Sequence, residues 1–439
     1  MTRTTRAAAL LFVVTLAVYL FPVAYNLFYK PFFTNETAID VVPAALLPVS
    51  ILQRGDFYLD PFADFINATY RDPFFVAKTN DHLVSRYPVI APVLALPFHG
   101  IPLGLGWLTQ PRSDWLAYPR SALFTARIPA AFITALAVVM LFYCARKLTN
   151  LKTSILLAII FAFGTSIWTT ASQALWQHTP GILLLLIGLW SVLRGERAGA
   201  MAVAPGAFFI SAAVAARANN VFAAIALTSY VSFKYRRATW AWMLWAIPPA
   251  VLFLAYNLIY NGSPLVFGYQ EGFVQSMSLI RLDGLLGVLI SPSRGLLIYS
   301  PFFIFAFLAF KDSAAQHRAL YFLSGAVFAV NIFVISMFKN WDGGWGYGTR
   351  LLIDALPFAM LLLIPAVERL RGLSRLTFFG LVAFAIGLQI LGLWDYGEHW
   401  HWHWDNYAYN VWDVAESEPL YYFKQFLDGA LHFLSRVRA

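Results

Sequence analysis

Apolar runs of about 20 residues recur along the chain, separated by short polar breaks, and a run of that length is what a bilayer-crossing helix needs. They predict spans beginning at Ala7, Ser121, Thr153, Thr179, Gly199, Val221, Trp240, Leu296, Leu320, Leu351 and Thr377. The pair over 199–232 has short halves that meet at Arg217. Between the first two runs lies a long polar and aromatic loop, residues 30–120. Within it, 87–108 is apolar but carries Pro88, Pro92, Pro97 and Pro102. Each proline removes a backbone donor, which is costly in lipid, so this segment is expected not to cross.

Charge placement supports that reading. With 87–108 outside the bilayer, the basic clusters at 146–152, 194–197, 234–237, 311–318 and 369–375 all fall on the side of Arg3 and Arg6. Of the 22 acidic residues, only Glu196, Asp312 and Glu368 share that side. Positive loops mark the cytoplasm. The expectation is therefore a cytoplasmic N-terminus and a periplasmic C-terminus. No small-residue cleavage site follows the apolar run 7–23; Tyr25, Phe28 and Tyr29 stand there instead, so it is expected to be a retained first span.

Composition agrees: 60% hydrophobic and 12% charged residues are far from a soluble domain's balance. The net charge of +9 resides largely in the topology-setting loops, which removes the case for a nucleic-acid partner. Cys144 is the sole cysteine, excluding a disulfide framework. The expected fold is an all-α polytopic membrane protein of about 11 transmembrane helices, within a range of 10–13. It forms one transmembrane domain over 1–439. Short surface helices occupy the periplasmic loop 30–120, and 396–439 is a periplasmic C-terminal segment.

Short basic loops inside and long aromatic, acidic loops outside put the candidate chemistry outside. Glu36 and Asp40 are four apart and would share a face of a surface helix, as suits a proton acceptor. A helix-capping role through Thr34 or Asn35, with Glu36 complementing the helix end, is the alternative. Asp56 and Asp60 sit in a turn-like stretch. Arg86, Arg217, Arg294, Lys339 and Arg350 fall at predicted outer ends of spans, where cations could meet a lipid phosphate or simply snorkel. Tyr87 adjoins Arg86, and His178 opens a span at the same rim. The run Glu398-His399-Trp400-His401-Trp402-His403-Trp404-Asp405, if extended, would segregate histidines from tryptophans and form a lid or acceptor platform. Asp342, Asp354, Asp395 and Asp405 are further candidates for sugar hydroxyls.

One span, an outer loop with an acid just beyond it, then many spans: the chain resembles the GT-C superfamily of polytopic glycosyltransferases. The local words resemble a bacterial branch of it. They are Asp40-x-x-Pro43 with Leu47-Pro48, Gly55-Asp56-Phe57-x-Leu59-Asp60-Pro61-Phe62 and Ser85-Arg86-Tyr87-Pro88-Val89. Later come Gln173-Ala174-Leu175-Trp176-Gln177-His178, Leu289-Ile290-Ser291-Pro292-Ser293-Arg294-Gly295-Leu296 and Gly343-Gly344-Trp345-Gly346-Tyr347-Gly348-Thr349-Arg350.

The resemblance implies an inverting transfer from a polyprenyl-phosphate sugar donor to a glycan, lipid or protein acceptor, at the periplasmic face of a bacterial inner membrane. Asp40 takes the base role by placement. Many relatives carry an adjacent acidic pair where this chain separates Glu36 from Asp40, so both stay catalytic candidates. Arg217, Arg350, Arg294, Arg86 and Lys339 are the expected donor-phosphate contacts. His178, Tyr87, Trp345, Tyr347, His401 and Trp402 are the expected substrate contacts. A divalent metal ion is left open. A transporter or flippase of a lipid-linked saccharide and a non-catalytic envelope-assembly subunit are the rival readings.

Overall fold

A computed structural model describes residues 2–28, 39–71, 73–105, 117–265, 277–278, 281–311, 317–394, 399–402 and 410–438. The architecture is an all-α, multi-pass membrane protein. Seven described helical segments are long and apolar enough to cross a bilayer: Arg3–Asn26, Pro119–Leu148, His178–Ala198, Arg236–Asn261, Arg318–Ser336, Arg350–Arg369 and Gly372–Leu393.

In chain order, α1 (Arg3–Phe28) is followed by α2 (Val42–Arg54) and α3 (Ala63–Thr69). Pro43 sits in the first turn of α2, where a missing N–H costs nothing, and Gly55 ends that helix at φ 75°. A hairpin follows, β1 (Val76–Thr79) and β2 (His82–Ser85), antiparallel with Thr79 opposite His82. Its two-residue turn has positive φ at both Asn80 and Asp81, the backbone a tight hairpin needs. The loop thus holds a small sheet as well as the expected short helices.

Next come α4 (Ile90–Gly104), α5 (Ala117–Thr125), α6 (Arg127–Leu148), α7 (Leu151–Phe163), α8 (His178–Ala198), α9 (Gly206–Ala216), α10 (Val221–Lys234) and α11 (Thr239–Asn261). The proline-rich segment is helical, but α4 has 15 residues, about 22 Å. That is shorter than a hydrocarbon core of about 30 Å. The later elements are α12 (Leu282–Ile290), α13 (Leu296–Tyr299), α14 (Arg318–Ser336), α15 (Leu356–Leu362), α16 (Ile364–Arg369), α17 (Gly372–Leu393), α18 (His399–Trp402) and α19 (Glu418–Arg438).

Several expected spans are broken or short. The one from Leu296 is the single turn α13 followed by a 3₁₀ helix, Pro301–Ala309, with Ser300 Oγ donating to Gly164 O at the break (2.8 Å). Asn150 caps α7 by accepting from Thr153 N (3.0 Å), yet the helix stops at Phe163 and gives way to a π-turn, Ile167–Ala171. The pair at 199–232 forms α9 and α10, of 11 and 14 residues, with Arg217 extended between α9 and the short turn that leads into α10.

Contacts divide the chain into two compact units. The first comprises Met1–Leu16, Ile39–Leu148 and Ala171–Gln275; the second comprises Ala17–Ala38, Thr149–Thr170 and Ser276–Ala439. In the first, α8 packs on α6 and α9, and α9 on α11. The helices α8 and α9 approach closely there: a Cβ at Gly188 would lie 2.4 Å from Ile210 Cδ1 and 3.2 Å from Gly206 O. Also in this unit, Val42, Leu46 and Leu47 of α2 pack with Leu59, Phe62, Phe75 and Tyr87 into one buried cluster, which makes the loop a folded body. In the second unit, α14 packs on α12 and α15, and α17 on α19.

Candidate functional site

In the first unit, Asp40 occupies the 3₁₀ turn Ile39–Val41 at the entrance to α2 and is half-buried. Tyr87 Oη donates to Asp40 Oδ1 (2.7 Å). The tyrosine is itself 4% exposed and fixed from below, its N–H bonding to Ser85 Oγ (2.9 Å). Two residues that the sequence offered separately, one as base and one as substrate contact, therefore form one hydrogen-bonded pair. Exposed Arg86 next to it rests its Nε on Val76 O (3.1 Å). Glu36 lies outside the described residues.

Arg217 and His178 also meet: a guanidinium N–H of Arg217 donates to the imidazole of His178, the first residue of α8. His178 is buried and Arg217 half-buried at the break before α10. The break is what turns the arginine out of a continuous apolar helix.

The second unit brings together three of the words read from the sequence. Arg294 (2% exposed) pairs with Glu418 (0% exposed), the first residue of α19. Glu418 Oε2 also accepts from Tyr299 Oη (2.6 Å) and Gly348 N (3.1 Å), and Glu418 N donates to Ser293 Oγ (3.1 Å). Burial pushes the Glu418 carboxyl up, and the Arg294 charge opposes that push. Arg294 in turn donates to Gly344 O (3.2 Å) and His401 Nε2 (3.0 Å), and its guanidinium lies 5.1 Å from the Trp400 ring centroid. Burial, then the neighbouring Arg294 charge, push His401 down to about 3. The ring stacks on Trp345 with centroids 5.4 Å apart.

Arg350 follows the glycine-rich segment and donates to Gly343 O. Gly343, Gly344 and Gly348 have φ of 81°, 58° and 70°, conformations that side chains other than glycine's rarely permit. Arg294 and Arg350 line one small crevice with Val288, Trp341, Asp342 and Thr349. Lys339 is exposed nearby in sequence. Tyr347 is a core residue, its hydroxyl donating to Leu388 O (2.7 Å).

The tryptophan–histidine run differs from the extended form expected. His399–Trp402 is one helical turn, so successive residues are about 100° apart around an axis and do not alternate between two faces. Trp400 and His401 are both fully buried, and Trp402 ends the same turn. Asp395, His403 and Asp405 lie outside the described residues. Among the described residues no three His, Cys, Asp or Glu side chains are grouped to hold a metal ion.

Glu418 and Tyr299 are the residues that sequence reasoning missed. The signal was faint: an acid before Pro419 at the start of a helix, which reads as an ordinary N-terminal turn. No protein-family model matches the chain, and neither does any curated protein.

Proposed function

We propose that this chain is an inverting glycosyltransferase of the GT-C type, moving a sugar from a polyprenyl-phosphate carrier to a glycan, lipid or protein acceptor. The observation that carries the reading is the Tyr87–Asp40 hydrogen bond. It gives a half-buried carboxylate a fixed orientation, as a general base requires. Asp40 accepts the proton of the acceptor hydroxyl. The freed oxygen attacks the anomeric carbon from the face opposite the phosphate, whose C–O bond breaks with the electron pair leaving on phosphate. Phosphate is a good leaving group, so cations suffice to stabilise it and no second carboxyl is needed.

Arg217 and Arg86, in the same compact unit as Asp40, are the cations for that role. Arg294 is less suited, because its charge is already matched by Glu418. The site faces the periplasm of a bacterial cell membrane, with the N-terminus cytoplasmic. External cysteine labelling after replacing Cys144 tests that orientation: positions near Asp56 should react and positions within 146–152 should not. The transfer itself is tested with purified protein in nanodiscs and radiolabelled polyprenyl-phosphate sugars. Release of polyprenyl phosphate coupled to acceptor labelling supports it, and no turnover with any donor contradicts it.

One observation favours a second reading, translocation of a lipid-linked saccharide. The extended Arg217 interrupts a helical pair, as binding-site helices in transporters are interrupted. Transbilayer movement of a fluorescent lipid-linked saccharide without cleavage would select it.

A further inference from the structure

A second polar cluster lies on the loop body, at the hairpin. Asp60 opens a 3₁₀ turn, Asp60–Phe62, and its two oxygens serve two partners: Oδ1 accepts from Leu83 N and Oδ2 meets His82 Nδ1, both at 2.7 Å. The carboxylate requires the hydrogen on Nδ1, so the neutral ring keeps its lone pair on Nε2. His82 is 44% exposed and Asp60 28%. The bond to Leu83 alone would tie the turn to β2; orienting a half-exposed imidazole adds nothing to the core.

Aromatic rings surround this pair. Tyr58 stacks on His82 with centroids 4.1 Å apart and planes at 19°. Tyr260, near the end of α11, meets Tyr58 at 5.1 Å and stacks on Tyr256 at 5.0 Å, while Phe57 sets its edge against both. These rings are half-buried. The Arg54–Asp56 and Lys78–Asp81 ion pairs flank the cluster and hold its other charges among themselves.

An array of ring faces beside a directional acceptor matches the two surfaces of a sugar: C–H groups that stack on aromatic planes, and hydroxyls that need oriented partners. The cluster is also tied to Asp40. Strand β2 carries His82 at its start and leads to Tyr87, which binds Asp40. Strand β2 sets His82 and Ser85 about 10 Å apart along the chain. A ligand that touches both His82 and the Asp40 pair is therefore longer than one sugar.

We propose that Asp60, His82, Tyr58 and Tyr260 form a subsite for a glycan acceptor, with His82 Nε2 accepting a hydrogen bond from a hydroxyl of a sugar remote from the reacting one. This rests on the glycosyl-transfer reading and narrows its acceptor to a glycan.

The test uses the full-length protein in nanodiscs and a panel of probes: maltotriose, chitotriose, and the methyl glycosides of glucose, galactose and mannose. Saturation transfer from the aromatic protons to a trisaccharide is expected in the wild type, at least tenfold stronger than to any monosaccharide. Tyr58→Ala and His82→Gln should lose it, and Asp40→Asn should retain it. Asp60→Asn keeps an acceptor for Leu83 but presents an amide donor to Nδ1. It should move the imidazole hydrogen to Nε2, visible in ¹⁵N shifts, and weaken binding. No transfer in the wild type, or equal transfer in the wild type, Tyr58→Ala and His82→Gln, overturns the subsite. Glycan binding that stands while no donor is ever turned over instead overturns the transferase reading and leaves the subsite in place.

Discussion

Tyr87 and Asp40, 47 residues apart in sequence, are joined by a 2.7 Å hydrogen bond from phenol to carboxylate. The bond links the turn that starts α2 to the chain leaving β2, and both belong to one apolar cluster. It makes a direct prediction. Tyr87→Phe keeps the ring and its packing but removes the donor, so the carboxylate is freer to rotate. Turnover should fall about tenfold, with donor KM little changed, because positioning is lost while binding is not. A rise in donor KM at unchanged kcat would instead make Tyr87 a substrate contact.

Arg294 and Glu418 hold each other in the interior of the second unit. Glu418→Gln leaves a buried guanidinium without its counter-charge and should cost about 3–5 kcal/mol. Arg294→Met combined with Glu418→Leu removes both charges and should cost much less. Thermal unfolding in detergent compares the two. An equal loss in both would mean that packing, and not the charge pair, holds this region.

The pH dependence of stability should carry the mark of His401. An ordinary imidazole titrates near 6.5, and in the folded chain this one is pushed down to about 3. As pH falls below about 6.5 the unfolded chain binds a proton that the folded chain refuses, so stability falls by up to about 1.4 kcal/mol per pH unit towards pH 3. Glu418 acts oppositely at higher pH, since burial raises its carboxyl. Unfolding midpoints measured from pH 7 to 4.5 should slope less steeply in His401→Gln than in the wild type. Parallel slopes would remove His401 from this account.

Arg217, in the same unit as Asp40, is the cation we expect beside the donor phosphate. Arg217→Lys keeps the charge but loses the forked donors, so donor KM should rise several-fold, and Arg217→Ala should raise it further. Arg294→Lys should act chiefly on stability. If the two variants exchange these effects, the phosphate contact belongs to Arg294.

Hydropathy made the membrane class legible, because it depends on local composition; the prolines of 87–108 argued against a span there, and the helix α4 that they occupy was not foreseen. The breaks at Phe163 and Ser300 were not legible: their surroundings are as apolar as a span, and the freed backbone groups are met by side chains distant in sequence, as Ser300 meets Gly164. Asp40, Arg86 and Tyr87 stood out as polar residues beside apolar segments, yet nothing in the spacing showed that Tyr87 touches Asp40. The glycines before Arg350 were visible as a word. Their reason was not, since Gly348 has positive φ and Tyr299, distant in sequence, packs where a Cβ would stand. Alternating Trp and His suggested a strand because period two is a strand's signature. Burial of Trp400 and His401 against distant residues gave a helical turn instead.

The central claim is that Asp40 is the base, and single-turnover sugar transfer by Asp40→Asn in nanodiscs tests it most directly. The substitution keeps an acceptor for the Tyr87 hydroxyl and removes the group that takes up a proton. Transfer should slow by about 100-fold or more, with polyprenyl-phosphate donor still bound and the unfolding midpoint unchanged. Transfer at the wild-type rate would contradict the account.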